Sequence, residues 1–308
     1  MRQPFIDAFR RIFRTEFAPE WLSVAALAAL AVLWMVRVGF ELTLSWRDGE
    51  FLFAAFATVL VARCFKFDRL NMTADYFALS LAATMTFGLV SYLAMATPGP
   101  LFDDEFLAAD RALGFDWLTG FHWLEAHPAA SKIFEYSYDS LVYQGLYFGI
   151  LFGLMGKRRQ LREMYWLVFI AGLFTSAGAV LFPAFGAYKA FGLESYGTFL
   201  PDMERLRSGH HLSFALSKLS GVVSFPSFHT TMALTFMYGF RRTGLIGWLF
   251  IPVNIAMLAA IPYFGGHYLV DMIAGAAVML VSLACVKVWP MAHYSIAPSQ
   301  MRKSALAN

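Results

Sequence analysis

Charge is scarce in this sequence. Asp, Glu, Lys and Arg make up only 15% of its 308 residues, while 59% are hydrophobic. That balance excludes an ordinary soluble domain and implies a polytopic membrane protein. Cysteine is nearly absent, with only two, Cys64 and Cys285. Both fall near expected inner helix ends and read as free thiols packed as small apolar groups, not as a disulfide. The Cys/His spacing of a structural zinc site is missing, as is the His-Glu-x-x-His string of a zinc protease. There is no convincing internal repeat and no low-complexity tract. Residues 1–20 lack the small-residue cleavage site that follows a short apolar core in a secretory signal peptide.

Long apolar runs are what the chain has instead. A membrane span needs roughly 20 such residues. By that rule about eight candidates appear, near 21–40, 50–65, 76–97, 133–155, 164–183, 223–240, 245–263 and 267–288. Residues 1–20 are basic and amphipathic. Phe5, Ile6, Phe9, Ile12 and Phe13 with Arg10, Arg11 and Arg14 read as a helix lying on the inner surface; a disordered basic tail is the equal alternative. With the N-terminus inside, eight crossings put most of the 24 Lys and Arg residues on the inner side, among them Arg63, Lys66, Arg158, Arg159, Arg241, Arg242 and Lys287. This is the positive-inside pattern, and it places both termini in the cytoplasm. The acidic residues lean the other way, which is weaker support.

The expected fold is therefore all-α, a polytopic membrane helix bundle of about eight transmembrane helices. Two outer connections are long. In the first, 98–132, Phe106, Leu107, Trp117, Phe121 and Trp123 give an apolar side, while Asp104, Asp110 and Asp116 stay polar. One or two interfacial helices on the outer leaflet are expected there, the tryptophans suiting that depth. They serve as structural packing or as a lid or lipid gate. The second, 184–222, carries Tyr188, Lys189, Arg205, Arg207, His210, His211 and Lys218. A solvated charged loop is one reading, and cations that hold a phosphate are the other.

Two strings carry chemistry: Ser-Phe-Pro-Ser-Phe-His at 224–229 and Gly-Gly-His-Tyr-Leu-Val-Asp at 265–271. Each opens an apolar run. Pro226 suits a first helical turn, Ser224 or Ser227 can cap free N–H groups, and His229 follows in the first turn or two. His267 opens the eighth span, with Asp271 at i+4 on the same face. Both helix N-termini then point outward, and their free N–H groups and positive dipole ends favour an anion such as phosphate. His267 fits a nucleophile whose tautomer Asp271 fixes, and His229 fits the acid that protonates a leaving alkoxide. A lone histidine at a helix end is more often structural. An aspartate inside an apolar span is costly, and usually functional.

Pro-Ser-Phe-His followed by His-Tyr-Leu-Val-Asp resembles the paired motifs of the type 2 phosphatidic acid phosphatase superfamily. The wider strings FPSFH, GGHYLVDMIAG, ADRALGFDWL and LFPAFGAY resemble its inositol phosphorylceramide synthase-like branch, over about 98–285. The resemblance implies that His267 becomes transiently phosphorylated, that Asp271 is its charge partner, that His229 is the acid and that Ser227 hydrogen-bonds phosphate. It also implies an accessory region 1–97, holding the amphipathic helix and three spans, a catalytic domain 98–290 and a cytoplasmic tail 291–308. Among the bacterial relatives of that branch, the expected place is the inner membrane with the site facing the periplasm.

Departures from the family pattern bear on phosphate binding. The upstream Lys-x6-Arg-Pro string is missing, Ile261 stands where an arginine is expected, and Phe228 replaces a glycine. Substitute cations are Arg207 first, then Arg205 and Lys218, with Tyr188 and Lys189 behind them. The expected activity is a lipid phosphatase or phosphotransferase acting through a phosphohistidine on a phospholipid, sphingolipid or prenyl phosphate, leaning toward inositolphosphotransferase-like headgroup transfer. It requires no metal and no cofactor. Its partners are a lipid substrate and the bilayer, not nucleic acid. Hydrolysis with water as acceptor is the first alternative. A lipid transporter or flippase and a non-catalytic lipid-binding protein are alternatives of another class.

Overall fold

Residues 15–288, except 47, 49, 51–56, 58–60, 62–66, 210, 211 and 242, are described by a computed structural model. In chain order they form α1 (Ala18–Val38), β1 (Glu41–Thr43), α2 (Asp68–Ala96), α3 (Asp103–Ala112), α4 (Trp117–Ala126), α5 (Pro128–Leu154), α6 (Arg158–Leu181), α7 (Ala187–Ala190), α8 (Leu200–Ser208), β2 (Ser213–Ala215), α9 (Phe228–Phe240), α10 (Leu245–Phe264) and α11 (Leu269–Val288). Among the described residues the regular structure is helical apart from one short parallel strand pair, Glu41 to Thr43 against Ser213 to Ala215.

Five of these helices, α1, α2, α6, α10 and α11, are long and apolar enough to cross a membrane. The expectation of about eight spans is thus met in part among the described residues, and each of the other three candidates has its own reason. Most of 50–65 lies outside the described residues. The fourth candidate forms α5, which is 27 residues long but is diluted by Lys132, Glu135, Asp139 and Gln144. The sixth forms α9, which has only 13 residues. At 1.5 Å rise per residue that is roughly 20 Å, against about 30 Å of hydrocarbon. Residues 223–227, expected to open that span, are not helical. The N-terminal amphipathic segment, Cys64, His210, His211 and the 291–308 tail also fall outside the described residues.

Local signals set several helix ends. Proline occupies the first turn of α1, α5 and α8, where its missing N–H costs nothing. Asp116 caps α4 by accepting from Thr119 N at 3.1 Å, and Ser227 caps α9. The short α9 is the hub, since α5, α6, α10 and α11 all pack on it. Thr231, Ala233, Thr235 and Phe240 on α9 are fully buried.

Two apolar clusters hold the helices together. One joins Phe148 and Phe152 of α5, Leu161 and Tyr165 of α6, and Phe236 and Phe240 of α9. The other lies toward the end of the bundle where α9 and α11 begin. It gathers Tyr92, Trp117, Phe121, Tyr188, Leu200 and Tyr268, and so brings α3, α4, α7 and α8 over the helix ends.

Candidate active site

The two motifs meet through a main-chain bond: Ser227 N donates to Asp271 O at 2.9 Å. Their helices lie close enough that a Cβ on Gly275 would fall 2.4 Å from Ser227 O. Thr231 completes the seam, its hydroxyl donating to Gly275 O at 2.8 Å. Glycine at 275 is thus what lets α9 and α11 approach.

At this junction His267 is almost fully buried, and its Nδ1 lies 3.2 Å from Asp271 Oδ2. The same oxygen accepts from Tyr268 N at 2.9 Å and from Ser224 Oγ at 3.3 Å. Asp271 therefore reaches back over the start of its own helix as the third-residue acid of a capping box does. It has two jobs, closing the helix end and fixing the ring of His267. With Nδ1 turned to the carboxylate, Nε2 is the ring nitrogen left for chemistry. Asp271 Oδ1 is buried without a hydrogen-bond partner among the described residues.

Facing this pair are the residues of the first motif. Ser227 is fully buried, and its hydroxyl oxygen accepts from Thr230 N at 3.3 Å, which leaves its own hydrogen to donate. His229, half-buried, sits in the first turn of α9. Pro226 lies before this helix, outside the first turn where it was expected. Tyr138 of α5 lies flat on His229, with ring centroids 4.2 Å apart and planes 10° apart. The Tyr138 hydroxyl is 3.5 Å from His229 Nδ1. A Cβ on Gly265 would lie 3.0 Å from that hydroxyl and 2.6 Å from His267 Cδ2. Tyr138 thus spans the space between the two histidines, and no spacing in the sequence announced it.

The expectation that both helix N-termini offer free N–H groups is corrected on one side. Asp110 of α3, read from its spacing as a polar surface residue, is buried. Its carboxylate accepts from Leu269 N at 2.8 Å and from Val270 N at 3.0 Å. Burial pushes its carboxyl up from the ordinary value, and these two N–H bonds pull it back down. With Tyr268 N taken by Asp271, the start of α11 is closed by two carboxylates. At α9 the first-turn N–H groups of Phe228 and His229 are the donors left among the described residues, since Ser227 takes Thr230 N. Of the two motif helices, only α9 therefore offers its N-terminus to an anion.

A second aspartate of α3, Asp103, holds the segment Pro183-Ala-Phe-Gly-Ala-Tyr188. It accepts from Phe185 N at 3.0 Å, from Gly186 N at 2.8 Å and from the Tyr268 hydroxyl at 3.0 Å. Ala187 N donates to Gly266 O at 2.7 Å. Gly186 has φ +97°, and a Cβ there would meet Gly266 O at 2.5 Å, so only glycine fits. Trp117, expected at a membrane interface, is buried beneath this loop and donates to Pro262 O at 3.0 Å. The missed signal was the seven-residue separation of Asp103 and Asp110, which puts both on one helix face.

The basic residues of 184–222 have other partners. Arg207 donates to the carbonyls of Thr97 (2.7 Å) and Gly99, beyond the C-terminus of α2. Arg205 donates to Ser213 O at 3.0 Å and lies over the Phe214 ring. Lys189 pairs with Glu204 at 2.5 Å and Glu194 at 3.4 Å, and the hydrogen bond to Glu204 raises its pKa. Lys218 is exposed, and its carbonyl accepts from Tyr92. Tyr188 is buried and donates to Tyr263 O, and burial pushes its pKa up to about 12.

A half-buried imidazole, a buried imidazole–carboxylate pair and an open helix N-terminus lie at one end of a bundle of apolar helices, the construction of an integral membrane protein. Residues 104–285, more than half of the chain, match the family model described as PAP2 superfamily, and the chain belongs to that superfamily. Neither the curated proteins nor the solved structures contain a match.

Proposed function

We propose that this protein moves a phosphate group on a membrane lipid, with His267 as nucleophile. The observation that carries the reading is the buried His267–Asp271 pair, whose carboxylate takes Nδ1 and leaves Nε2 for attack. Nε2 forms a bond to phosphorus while the bond from phosphorus to the leaving oxygen breaks. His229 gives that oxygen its proton. The phosphoryl group is then on His267. An acceptor hydroxyl attacks it next, returning its proton to His229, and the N–P bond breaks.

The Ser227 hydroxyl and the Phe228 and His229 N–H groups are the donors for the phosphoryl oxygens. Arg207, Arg205, Lys218, Tyr188 and Lys189 remain proposed contacts to the substrate phosphate. Those of them now bonded to carbonyls or carboxylates would have to exchange partners to serve. The acceptor is read as an inositol-like polyol by likeness of the motif strings, with water as the alternative. The apolar helices and the family fit an integral membrane protein. A lipid headgroup would reach this site while its chains stay in the bilayer, and the site is proposed to face the periplasm.

The test is to incubate the purified protein with a lipid substrate carrying labelled phosphate and to quench rapidly. Acid-labile label on His267, lost in His267→Ala, is the expected result. Turnover by His267→Ala equal to that of the wild type ends the proposal.

A further inference from the structure

The end of the bundle opposite the histidines holds a feature that the proposed chemistry does not use. Both α9 and α11 begin at the site and run away from it, so their C-termini come out together at the far end with the start of α6. Between them lies a cavity of about 530 Å³. Phe148, Phe152 and Leu167 are among its apolar walls, and Lys157, Arg159, Arg241 and Lys287 also line it, against a single carboxylate, Glu163.

The charges in this cavity do not cancel. Glu163 accepts from the Tyr238 hydroxyl at 2.5 Å and lies 3.7 Å from Arg241 Nη2. It offsets one cation at most. Lys157, Arg159 and Lys287 have no side-chain hydrogen bond or ion pair among the described residues. Cations at the C-termini of α9 and α11 complement helix dipoles and need no ligand to explain them. Arg159 does not fit that account. It sits in the first turn of α6, where the dipole favours an anion, and that turn has no acidic residue and no side-chain cap. Cations gathered around an uncapped helix N-terminus, beside a cavity with an apolar wall, are the surroundings of a bound anion. Met155, one of the lining residues, is itself exposed.

We infer that this cavity is a second ligand site that takes a phosphate-bearing anion, with an anionic phospholipid headgroup as the ligand that also satisfies its apolar wall. The site is separate from the histidines and does not depend on the proposed reaction.

The full-length protein, delipidated and placed in phosphatidylcholine nanodiscs, would be titrated with short-chain phosphatidylglycerol, glycerol phosphate and inorganic phosphate in separate arms. Bound ligand would be read by native mass spectrometry and by the shift in melting temperature. The expected result is saturable binding of phosphatidylglycerol, weakened on the order of a hundredfold in the exposed triple variant Lys157→Gln/Arg159→Gln/Lys287→Gln, at about 1 kcal/mol per cation. Arg37→Gln/Lys132→Gln, at the other end of the bundle, and His267→Ala should both bind as the wild type does. Saturable binding of glycerol phosphate or inorganic phosphate alone, lost in the triple variant, supports the site and assigns it to a soluble anion. Undiminished binding in the triple variant, or loss of binding in His267→Ala, overturns the proposal.

Discussion

Asp110 and Leu269 are 159 residues apart in the chain, yet the carboxylate of one accepts the backbone N–H of the other at 2.8 Å. This bond, with its companion to Val270, ties α3 to the first turn of the helix that carries Asp271. Asp110→Ala leaves two part-buried N–H groups without an acceptor. Hydrogen bonds to charged groups contribute about 1.5–3 kcal/mol each. A loss of about 2–4 kcal/mol is expected by denaturation in detergent, with a fall in turnover. Asp110→Asn keeps one acceptor oxygen and should fall between. A wild-type melting temperature in Asp110→Ala would show that the bond carries no load.

Asp271→Asn keeps the size of the side chain but removes the charge that stabilises a cationic His267. Turnover should fall by roughly two to four orders of magnitude with substrate affinity little changed. His229→Ala should cost a similar factor. It should cost less for a substrate whose leaving group departs without a proton, so a nitrophenyl phosphate ester compared with an alkyl ester separates the acid role from a structural one.

Tyr138 and His229 are stacked. Aromatic pairs contribute about 0.5–1.5 kcal/mol beyond area burial. Tyr138→Phe keeps the stack and removes only the hydroxyl, so folding should be unchanged and any loss of rate reports that hydroxyl. Tyr138→Leu removes the stack and should raise KM and lower kcat together, because His229 is then free to rotate.

Gly275→Ala introduces a methyl group 2.4 Å from Ser227 O, a backbone atom that cannot swing aside. The two motif helices must separate by some tenths of an ångström. Activity should drop at least tenfold although no chemical group is lost, since small misplacements at a reacting centre are costly. Unchanged activity would mean that the seam between α9 and α11 is softer than the close approach implies.

Arg207 has its guanidinium on carbonyls beyond the end of α2. Arg207→Lys cannot reproduce that fork. A loss of about 1–3 kcal/mol in stability with unchanged KM is expected if positioning is its role. A rise in KM at unchanged stability would instead assign it to the substrate phosphate.

Much of this was legible in the sequence. The low share of charge decided that helices are apolar and numerous, because a chain so poor in charge cannot cover itself with a polar surface. The spacing of His267 and Asp271 put them within reach of each other, although His267 lies two residues before α11 and meets Asp271 across the capped start of the helix, not on a shared helix face. A cap at Ser224 or Ser227 and one or two short helices in the first loop followed from local chemistry, and the structure has Ser227 and two helices. Only the tertiary structure decided which charges are spent. Asp110 reads as polar surface by its spacing, yet it is consumed by N–H groups of a helix far along the chain. Arg207 reads as a phosphate fork, yet its donors find the carbonyls beyond α2. Tyr138 gave no signal, because a ring that stacks across helices obeys no sequence period. Local sequence sets helix faces and caps. Which donor meets which acceptor depends on distances between segments remote in sequence, and those exist only once the helices have packed.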